Sequence, residues 1–439
     1  MRDRTRASLA RTFDTSPALT YLALEVCGKG EDALGSGESP PPGGEKMHIN
    51  DILKVAGERK ASDVHLKVGA HPLVRVDGQL IPLVEFKRLM QEDTIAMAFS
   101  MMSTQQKEKF KQFLEIDIAY SVPGLGRFRC NIFQQRGSVG LVLRLIPARI
   151  MNIRELLLPP VLERIADEER GLVLVTGTTG SGKSTTLAAM LEHVNSRRNC
   201  HIVTIEDPIE FLHRDKKAII NQREVEVDTR NFAVAMRAAL RQDPDVVLVG
   251  EMRDYETIET ALLAAETGHL VLSTLHTVDA TETINRIIAV FPPHQQKQIR
   301  IQLGAVLKSI ISMRLLPRAD GLGRVPAVEV LVSTAYIREC VEQKERTKLI
   351  RDAIASGTSQ YGMQTFDQSL YMLYRQGLIT LEETLRGATN PDELRLRIQG
   401  IQSTSDVSRE EMEAALETAT DTFASESPFE FGGKDTAGS

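Results

Sequence analysis

The 439-residue sequence has few cysteines and no long apolar run, and each shortage excludes a class of protein. Its four cysteines, Cys27, Cys130, Cys200 and Cys340, are scattered, and none belongs to a C-x-x-C pair. This pattern gives neither a disulfide framework nor a zinc site, and it suits a reducing compartment. No stretch approaches the roughly 18 to 20 apolar residues that cross a bilayer. We therefore expect no direct insertion into a membrane.

A secretory signal and a basic arm are also missing. Residues 1–14 are rich in arginine but lack the apolar segment of a signal peptide, so we expect a cytoplasmic protein. The net charge of −6 is uneven: residues 402–439 carry −7 and residues 1–46 carry −1, which leaves 47–401 at +2. Nucleic-acid-binding modules concentrate positive charge in a patch or arm. The sequence therefore predicts no nucleic-acid partner.

Changes in composition divide the chain into five parts. They are a disordered N-terminal extension (1–46), a small α+β domain (47–148), a linker (149–170), an α/β domain with C-terminal helices (171–401) and an acidic disordered tail (402–439). Within the extension, the apolar segment 18–27 fits either a partner-docking arm or translation from an upstream start codon, with Met47 as the true start.

The small domain combines helices with short alternating strands. Helical patterns cover Ile49–Arg59 and Gln91–Phe113, and segments 63–68 and 72–83 resemble a hairpin around Gly69–His71. Two more strands lie within 128–147, about a glycine turn. The pattern predicts a compact α+β unit.

From Gly171 onward, apolar strands alternate with amphipathic helices, which is typical of a parallel sheet covered on both faces. The predicted strands are Leu172–Thr176, His201–Ile205, Val246–Val249 and Leu270–Thr274. Two apolar stripes at helical spacing follow beyond Pro292 and predict packing helices. The first comprises Ile299, Leu303, Val306, Leu307, Ile310 and Ile311; the second comprises Phe366, Leu370, Leu373 and Tyr374, closed by Gly377.

A glycine-rich motif between the first of these strands and a helix predicts a phosphate-binding loop. The segment 177–184 fits G-x-x-x-x-G-K-[ST], and the flanking strand and helix are the context that the motif requires. Its backbone N–H groups and the helix N-terminus bind phosphates, Lys183 reaches the β and γ phosphates, and Ser184 ligates Mg²⁺. The predicted nucleotide-binding residues are Gly177, Thr178, Thr179, Gly180, Ser181, Gly182, Lys183, Ser184 and Thr185.

An acidic residue follows another buried strand. In segment 245–251, four aliphatic residues precede Gly250 and Glu251. This spacing puts the Glu251 carboxylate at the C-terminal edge of the sheet, where phosphates bind in open α/β folds. Glu251 either completes the Mg²⁺ shell or polarises the attacking water.

Two further segments end at the same predicted edge. Segment 204–210 holds three carboxylates within five residues, which suits either an ordinary surface turn or a functional site. In segment 267–277, His269 and His276 flank an apolar strand, too far apart for a helical metal pair. A lone histidine is more often a satisfied polar group, but its position would let His276 sense the γ-phosphate.

At these motifs the sequence resembles the secretion/retraction ATPase superfamily and, within it, the PilT-type twitching-motility ATPases. The resemblance runs from Met47 to about Ile401. It rests on four motifs in family order: the P-loop (177–184), TIEDPIEF (204–211), DPDVVLVGEMRD (243–254) and ETGHLVLSTLHT (266–277). Supporting matches are ASDVHL (61–66), GRFRCN (126–131), FPPHQQ (291–296) and GMQTFDQSLYMLY (362–374).

The resemblance implies a PAS-like N-terminal domain joined to a RecA-like ATPase domain in a homo-hexameric ring that uses ATP and Mg²⁺. By position it makes Glu251 the catalytic glutamate, Glu210 a second acid in the metal or water shell, and His276 the principal histidine. Arg129 and Arg144 correspond to arginines that lean onto bound nucleotide, for which a planar, permanently charged guanidinium is suited. Simple surface charge on strands is the alternative for these two.

The resemblance also implies a role and partners. Extension ATPases usually carry a four-cysteine zinc module, which this sequence lacks, so retraction of type IV pili through an inner-membrane platform protein is favoured. The expected location is the cytoplasmic face of the pilus base. Segment 336–343 agrees poorly with the family's helix, and the acidic tail resembles accessory motors. An accessory retraction ATPase, working with a paralogous ATPase, is therefore the alternative, and a RecA-like nucleic-acid translocase is a more distant one.

Overall fold

A computed structural model of the chain describes residues 47–76, 78–146 and 149–400. The predicted N-terminal extension and acidic tail lie outside the described residues. The chain forms two compact units. The first ends at Ile150 and also includes Asp207–Arg214, and the second contains Met151–Glu206 and continues from Asp215.

The first unit is an antiparallel sheet with three helices. Its elements are α1 (Ile49–Glu58), β1 (Asp63–Leu66), β2 (Leu73–Val76), β3 (Gln79–Pro82), α2 (Gln91–Met101), α3 (Thr104–Phe113), β4 (Glu115–Val122), β5 (Gly126–Gln135) and β6 (Ser138–Ile146). The strand order is β3-β2-β1-β6-β5-β4, and every neighbouring pair is antiparallel. The predicted hairpin around Gly69–His71 is confirmed as the β1–β2 pair, although segment 72–83 folds into two strands, β2 and β3. The predicted pair within 128–147 is confirmed as β5 and β6.

Helix α1 shows why this unit folds as it does. It buries Ile49, Ile52, Leu53 and Ala56, which recur every three or four residues and so form one face of a helix. The continuous helix predicted over 91–113 is wrong, because the chain breaks between α2 and α3. Ser103 caps α3 by accepting a hydrogen bond from the Gln106 backbone N–H, a local start signal that interrupts the apolar pattern.

The second unit has seven strands and twelve α-helices among the described residues. The elements up to the middle of the sheet are α4 (Val161–Ala166), β7 (Gly171–Thr176), α5 (Lys183–Arg197), β8 (His201–Glu206), β9 (Ile219–Glu224), α6 (Phe232–Ala239), β10 (Val246–Val249), α7 (Tyr255–Glu266) and β11 (Leu270–Leu275). They continue with α8 (Ala280–Ala289), α9 (Gln296–Val306), β12 (Leu307–Pro317), β13 (Arg324–Val332), α10 (Ala335–Glu342), a 3₁₀ helix (Lys344–Leu349), α11 (Ile350–Ser356), α12 (Thr358–Tyr361), α13 (Phe366–Arg375), α14 (Leu381–Gly387) and α15 (Pro391–Ile398).

The sheet of the second unit has the order β13-β12-β7-β11-β10-β8-β9. All neighbours are parallel except β12 and β13, so the carboxyl ends of β7, β8, β10 and β11 share one edge. The four predicted strands and the helix that begins at Lys183 are confirmed. The α/β class predicted from the sequence is therefore correct.

Alternate residues of the central strands enter two separate cores. Leu172 and Leu174 pack with residues of α6 to α11, whereas Val173 and Val175 pack with residues of α4 and α5. Both faces of the sheet are covered, which explains why its strands are apolar throughout and do not alternate with polar residues. The segment expected to be a linker contains α4 and contributes to the second of these cores.

The helix predicted over Ile299–Ile311 is wrong in its second half. Helix α9 ends at Val306, and Leu307 is the extended residue that begins β12. A fully buried strand has apolar residues at consecutive positions, so its pattern is indistinguishable from one side of a buried helix. Strand β12 was missed for this reason, and β9 and β13 were not among the predicted strands either.

The second apolar stripe is confirmed as α13, whose first turn is capped by Thr365 and which is followed by Gly377 in a left-handed conformation at φ +70°. With α15, this helix covers a small core that includes Leu316 and Val325 of the β12–β13 pair. Within residues 47–76, 78–146 and 149–400, no helix is both long and apolar enough to cross a membrane.

Candidate nucleotide-binding and catalytic site

The phosphate-binding loop connects β7 to α5. Gly177 has φ +141°, and a Cβ there would lie 2.5 Å from the Met313 carbonyl oxygen, so only glycine fits. Gly182 is the N-cap of α5 in a left-handed conformation, at φ +99°. The loop therefore curls tightly and directs the first N–H groups of α5 toward its own concave side.

The Lys183 ammonium is folded against this loop. Its Nζ donates to the carbonyl oxygens of Gly177, at 2.8 Å, and Thr178, at 3.1 Å. The Ser181 Oγ is buried and has no hydrogen-bond partner among the described residues. Ser184 and Thr185 follow in the first turn of α5 and are half-buried. A cation, a buried hydroxyl without a partner and helix N–H groups form an arrangement that suits an anionic ligand.

The strand that sequence analysis missed supports this loop. The Thr176 hydroxyl donates to Ser312 Oγ at 3.0 Å, and the Thr186 Oγ1 lies 3.1 Å from the Met313 Sδ. Both partners are on β12, and they fix the end of β7 and the first turn of α5. The sequence signal for the β12–β13 hairpin was the pair Gly321 and Gly323. These glycines form the turn between the two strands, with φ of +72° and +83°.

Glu251 follows β10 and is positioned by the backbone between two neighbouring strand ends. The N–H of Gly250 donates to Ile205 at the end of β8, at 2.8 Å, and the Thr274 hydroxyl donates to the Gly250 carbonyl at 2.7 Å. The N–H of Met252 donates to the Thr274 carbonyl at 3.2 Å. These bonds hold the residues on either side of Glu251, so its carboxylate lies at the C-terminal edge of the sheet, as predicted.

Two basic side chains contact the Glu251 carboxylate. Arg253 Nη2 lies 2.7 Å from Oε2, and His276 Nε2 lies 3.3 Å from Oε1. Burial raises the pKa of Glu251, but the Arg253 hydrogen bond and the nearby charges of His276 and Arg253 outweigh it, so the pKa lies below its ordinary value. Glu251 is therefore an ionised group at neutral pH. Arg253 was not singled out from the sequence, although the adjacent acid could have signalled it.

The two histidines of the fourth motif lie at opposite ends of β11. His276 follows the carboxyl end of the strand and contacts Glu251. His269 precedes the strand, and its Nδ1 lies 2.9 Å from the Ala264 carbonyl oxygen, where it holds the turn after α7. Of these two histidines, His276 is therefore the one at the edge of the sheet that carries Glu251, and its predicted role stays a prediction.

The acidic segment 204–210 is divided between the two units. Glu206 ends β8 and accepts hydrogen bonds from Thr204 Oγ1, at 2.6 Å, and Gln222 Nε2, at 3.2 Å. Glu210 lies in Asp207–Arg214, which belongs to the first unit together with Arg129 on β5 and Arg144 on β6. The predicted place of Glu210 in the metal or water shell, and the predicted contacts of the two arginines with nucleotide, stay predictions.

A cavity of about 390 Å³ adjoins Glu251 and His276. Charged side chains of Arg253, Glu282 and Arg286 line it, and its apolar lining residues are Met252, Ile258, Leu275 and Val290. Among the described residues, no group of three or more histidine, cysteine, aspartate or glutamate side chains is arranged to hold a metal ion.

A phosphate loop after one parallel strand and an ionised glutamate after another, at one edge of the sheet, define a P-loop ATPase. The family model described as type II/IV secretion system protein matches residues 45–419, and the chain belongs to that family.

Individual relatives support this assignment. The type IV pilus retraction ATPase PilT of Pseudomonas aeruginosa is 45% identical over 346 residues, which cover 79% of this chain and 99% of the relative. The type IV pilus ATPase PilU of the same organism is 40% identical over 361 residues, which cover 82% of this chain and 94% of PilU. A crystal structure of the pilus retraction motor PilT with bound ADP has a TM-score of 0.75 at 49% identity and covers 80% of this chain and 99% of that chain.

Proposed function

We propose that this chain is an ATP-hydrolysing motor that drives the retraction of type IV pili. The observation that carries the proposal is the arrangement of Glu251 with Arg253 and His276 at the edge that also holds the P-loop. The similarity to PilT, which extends over 99% of that relative, supports pilus retraction as the work done.

The residues present fit ATP. The partnerless Ser181 hydroxyl, the Lys183 ammonium and the first N–H groups of α5 are donors for phosphate oxygens. Lys183 would exchange its two carbonyl partners for the β and γ phosphates and stabilise the charge that develops on the transferred group.

The same loop fits Mg²⁺, which proteins usually bind through few side chains together with substrate phosphates. The Ser184 hydroxyl would be its protein ligand, with Glu251 and Glu210 in the metal or water shell. When bound, Mg²⁺ neutralises charge on the β and γ phosphates. Glu251, held ionised by its basic partners, orients the attacking water and accepts its proton. His276 reports whether the γ-phosphate is present.

The proposed assembly is a homo-hexameric ring at the cytoplasmic face of the inner membrane. In such a ring Arg129 and Arg144 lean onto nucleotide, and the ring acts on a platform protein at the pilus base. The similarity to PilU keeps an accessory retraction motor, working beside a paralogous ATPase, as the second candidate.

Deletion of the gene tests the proposal. Surface pili are counted by electron microscopy and twitching is measured, with wild-type and Glu251→Gln genes reintroduced at matched protein levels. We expect excess pili without movement, restored only by the wild-type gene. Impaired twitching with a normal pilus count would instead indicate the accessory motor. Unchanged pili and twitching would overturn both, and ATP hydrolysis that depends on single-stranded DNA would indicate a translocase.

A further inference from the structure

Glu329 is a buried carboxylate that the proposed mechanism does not use. It lies on β13 and is only 6% exposed. Its Oε1 accepts a hydrogen bond from the backbone N–H of Ala280, at 2.9 Å. Ala280 is the first residue of α8 and is itself buried. A strand at the far edge of the sheet is thus tied to the start of this helix.

Helix α8 begins only a few residues after His276 in the sequence. Three residues separate His276 from Ala280, and each of the first two is tied to α8. The Thr277 and Thr283 hydroxyls are 2.6 Å apart, and the Val278 N–H donates to Glu282 Oε2 at 2.8 Å. The loop that carries His276 therefore moves with the N-terminus of α8, and Glu329 fixes that N-terminus to the sheet.

We infer that Glu329 is a positioning residue, which holds His276 in contact with Glu251 by anchoring the first N–H of α8. The inference rests on the role proposed for His276. A carboxyl oxygen suits the task, whether or not the group is ionised, because the N-terminus of a helix exposes N–H groups that lack partners within the helix. Three charged groups influence the pKa of Glu329. They are Asp279, which is the N-cap of α8, Arg314 on β12 and Arg351 on α11.

A purely structural role would stabilise the unit without favouring catalysis over binding, so the test separates turnover from affinity. Glu329→Met keeps an unbranched side chain but removes the acceptor, whereas Glu329→Gln keeps an amide oxygen that can accept from Ala280. We expect Glu329→Met to lower kcat about tenfold or more with the KM for ATP within about twofold, and Glu329→Gln to restore kcat to within about threefold of wild type.

Ser309→Ala is the matched control. The Ser309 hydroxyl is buried in the same sheet and donates to the Leu331 carbonyl at 2.7 Å, so the variant also loses a buried hydrogen bond. This bond joins β12 to β13 and does not involve the loop of His276 or the N-terminus of α8, so the kcat of Ser309→Ala should stay within about twofold of wild type. An equal loss of kcat in Ser309→Ala and Glu329→Met would overturn the inference.

A double-mutant cycle with His276→Ala tests whether Glu329 acts through the histidine. If it does, Glu329→Met should lower kcat much less in the His276→Ala background than in wild type, since the contact it preserves is already lost. Additive losses would overturn the inference while leaving the role of His276 intact. A full rate in His276→Ala alone would overturn that role, and with it the inference.

If Glu329→Met does not fold, the hydrogen bond from the Ala280 N–H to Glu329 can be removed by a substitution at Ala280. Proline at Ala280 removes the N–H at the first helical position, where proline is well tolerated. The preceding Asp279 has φ −152° and ψ 174°, an extended conformation that is compatible with a following proline. Ala280→Pro should reproduce the loss of kcat with little change in KM, and a normal kcat would overturn the inference.

Discussion

Arg129 and Arg144 lie directly opposite each other on the antiparallel strands β5 and β6. Like charges at opposed positions destabilise a sheet, so each needs a partner or a function. Arg144 Nε lies 2.8 Å from Asp63 Oδ1, and Arg129 Nε lies 3.9 Å from Asp117 Oδ1. The side chains nevertheless remain 70% and 43% exposed, which leaves guanidinium edges open to an anion such as nucleotide phosphate.

Alanine substitution of either arginine should lower the ATPase rate, because both are proposed to bind phosphate. The two variants should differ in stability. Arg144→Ala removes the closest cationic partner of the mostly buried Asp63, which keeps Ser62 and Arg75, and should destabilise the first unit by about 1 kcal/mol, whereas Arg129→Ala should leave stability nearly unchanged. Steady-state phosphate release and thermal melts measure the two effects.

The control for both variants is Arg59→Ala. Arg59 is another arginine of the first unit, and its Nη2 pairs with Glu85 Oε1 at 2.6 Å. Its removal should change neither the rate nor the melt appreciably. A normal rate in Arg129→Ala and Arg144→Ala would favour the alternative that these arginines are simple surface charge.

Lys183→Ala should abolish ATP hydrolysis and leave a folded protein. The Lys183 ammonium donates to two loop carbonyl oxygens, at 2.8 and 3.1 Å, and its proposed task is to stabilise charge on the transferred phosphoryl group. The melting temperature should stay within about 3 °C of wild type. Lys308→Ala, which removes a surface ion pair with Glu168, is the control and should hydrolyse ATP normally. Turnover by Lys183→Ala with an unchanged melt would refute the assignment of the P-loop.

The catalytic part of the site was the easier part to predict. Lys183 and Glu251 belong to local motifs whose position at a strand end follows from a few consecutive residues. Arg253 falls within the motif 243–254, but its contact with Glu251 does not follow from the motif, and Glu329 belongs to no motif. Their contacts depend on side-chain direction in the first case and, in the second, on a pairing of residues 280 and 329 that only the folded sheet brings together.

Strand β12 shows the corresponding limit for the fold. Leu307, Ile310 and Ile311 continue the spacing of α9, and burial on both faces of the sheet removes the alternation that would have identified a strand. Because β12 was missed, so were Ser312 and Met313, which support the P-loop. The error arose from tertiary burial, which a single sequence does not encode locally.

Glu251→Gln should bind ATP and hydrolyse it very slowly. The amide keeps the shape of the side chain but loses the charge that orients water and accepts a proton. Retention of a fluorescent ATP analogue, with phosphate release measured in parallel, checks this result. If hydrolysis stays within about fivefold of wild type, another acid performs the task, and Glu210 is the first to substitute.

The pH at which ATP hydrolysis is lost on the acid side should depend on Arg253, because Arg253 affects the pKa of Glu251. The Arg253 hydrogen bond and charge help to hold the pKa of Glu251 below its ordinary value, so protonation of Glu251 should not limit kcat near neutral pH in wild type. In Arg253→Ala that pKa rises, and the acid limb of kcat should move to higher pH. Arg237→Ala, which removes a surface pair with Glu256, should leave the limb in place. An unshifted limb in Arg253→Ala would mean that Glu251 protonation does not control the rate.

Glu329 should make the free energy of unfolding of the second unit fall as pH rises. An ordinary paired carboxylate, whose pKa is lowered in the folded state, has the opposite effect. Burial raises the pKa of Glu329 to about 7. The hydrogen bond from the Ala280 N–H lowers this pKa, but by less than burial raises it. The folded state therefore holds a proton that the unfolded chain, with an ordinary pKa of 4.5, has lost. The stabilisation from this proton is complete below pH 4.5 and disappears as pH rises through 7. Glutamine cannot ionise, so the unfolding free energy of wild type should fall by about 3 kcal/mol relative to Glu329→Gln between pH 4.5 and pH 8.

Melts of both proteins across that range measure the difference, with Ser309→Ala as a control that should run parallel to wild type. At pH 5 wild type and Glu329→Gln should melt close together, and at pH 8 the glutamine variant should melt higher. A constant gap across the range would show that Glu329 keeps the same protonation in the folded and unfolded chain. The carboxylate would then be ionised within the sheet, and its charge would have to be balanced by Arg314 and Arg351 together with the N-terminus of α8.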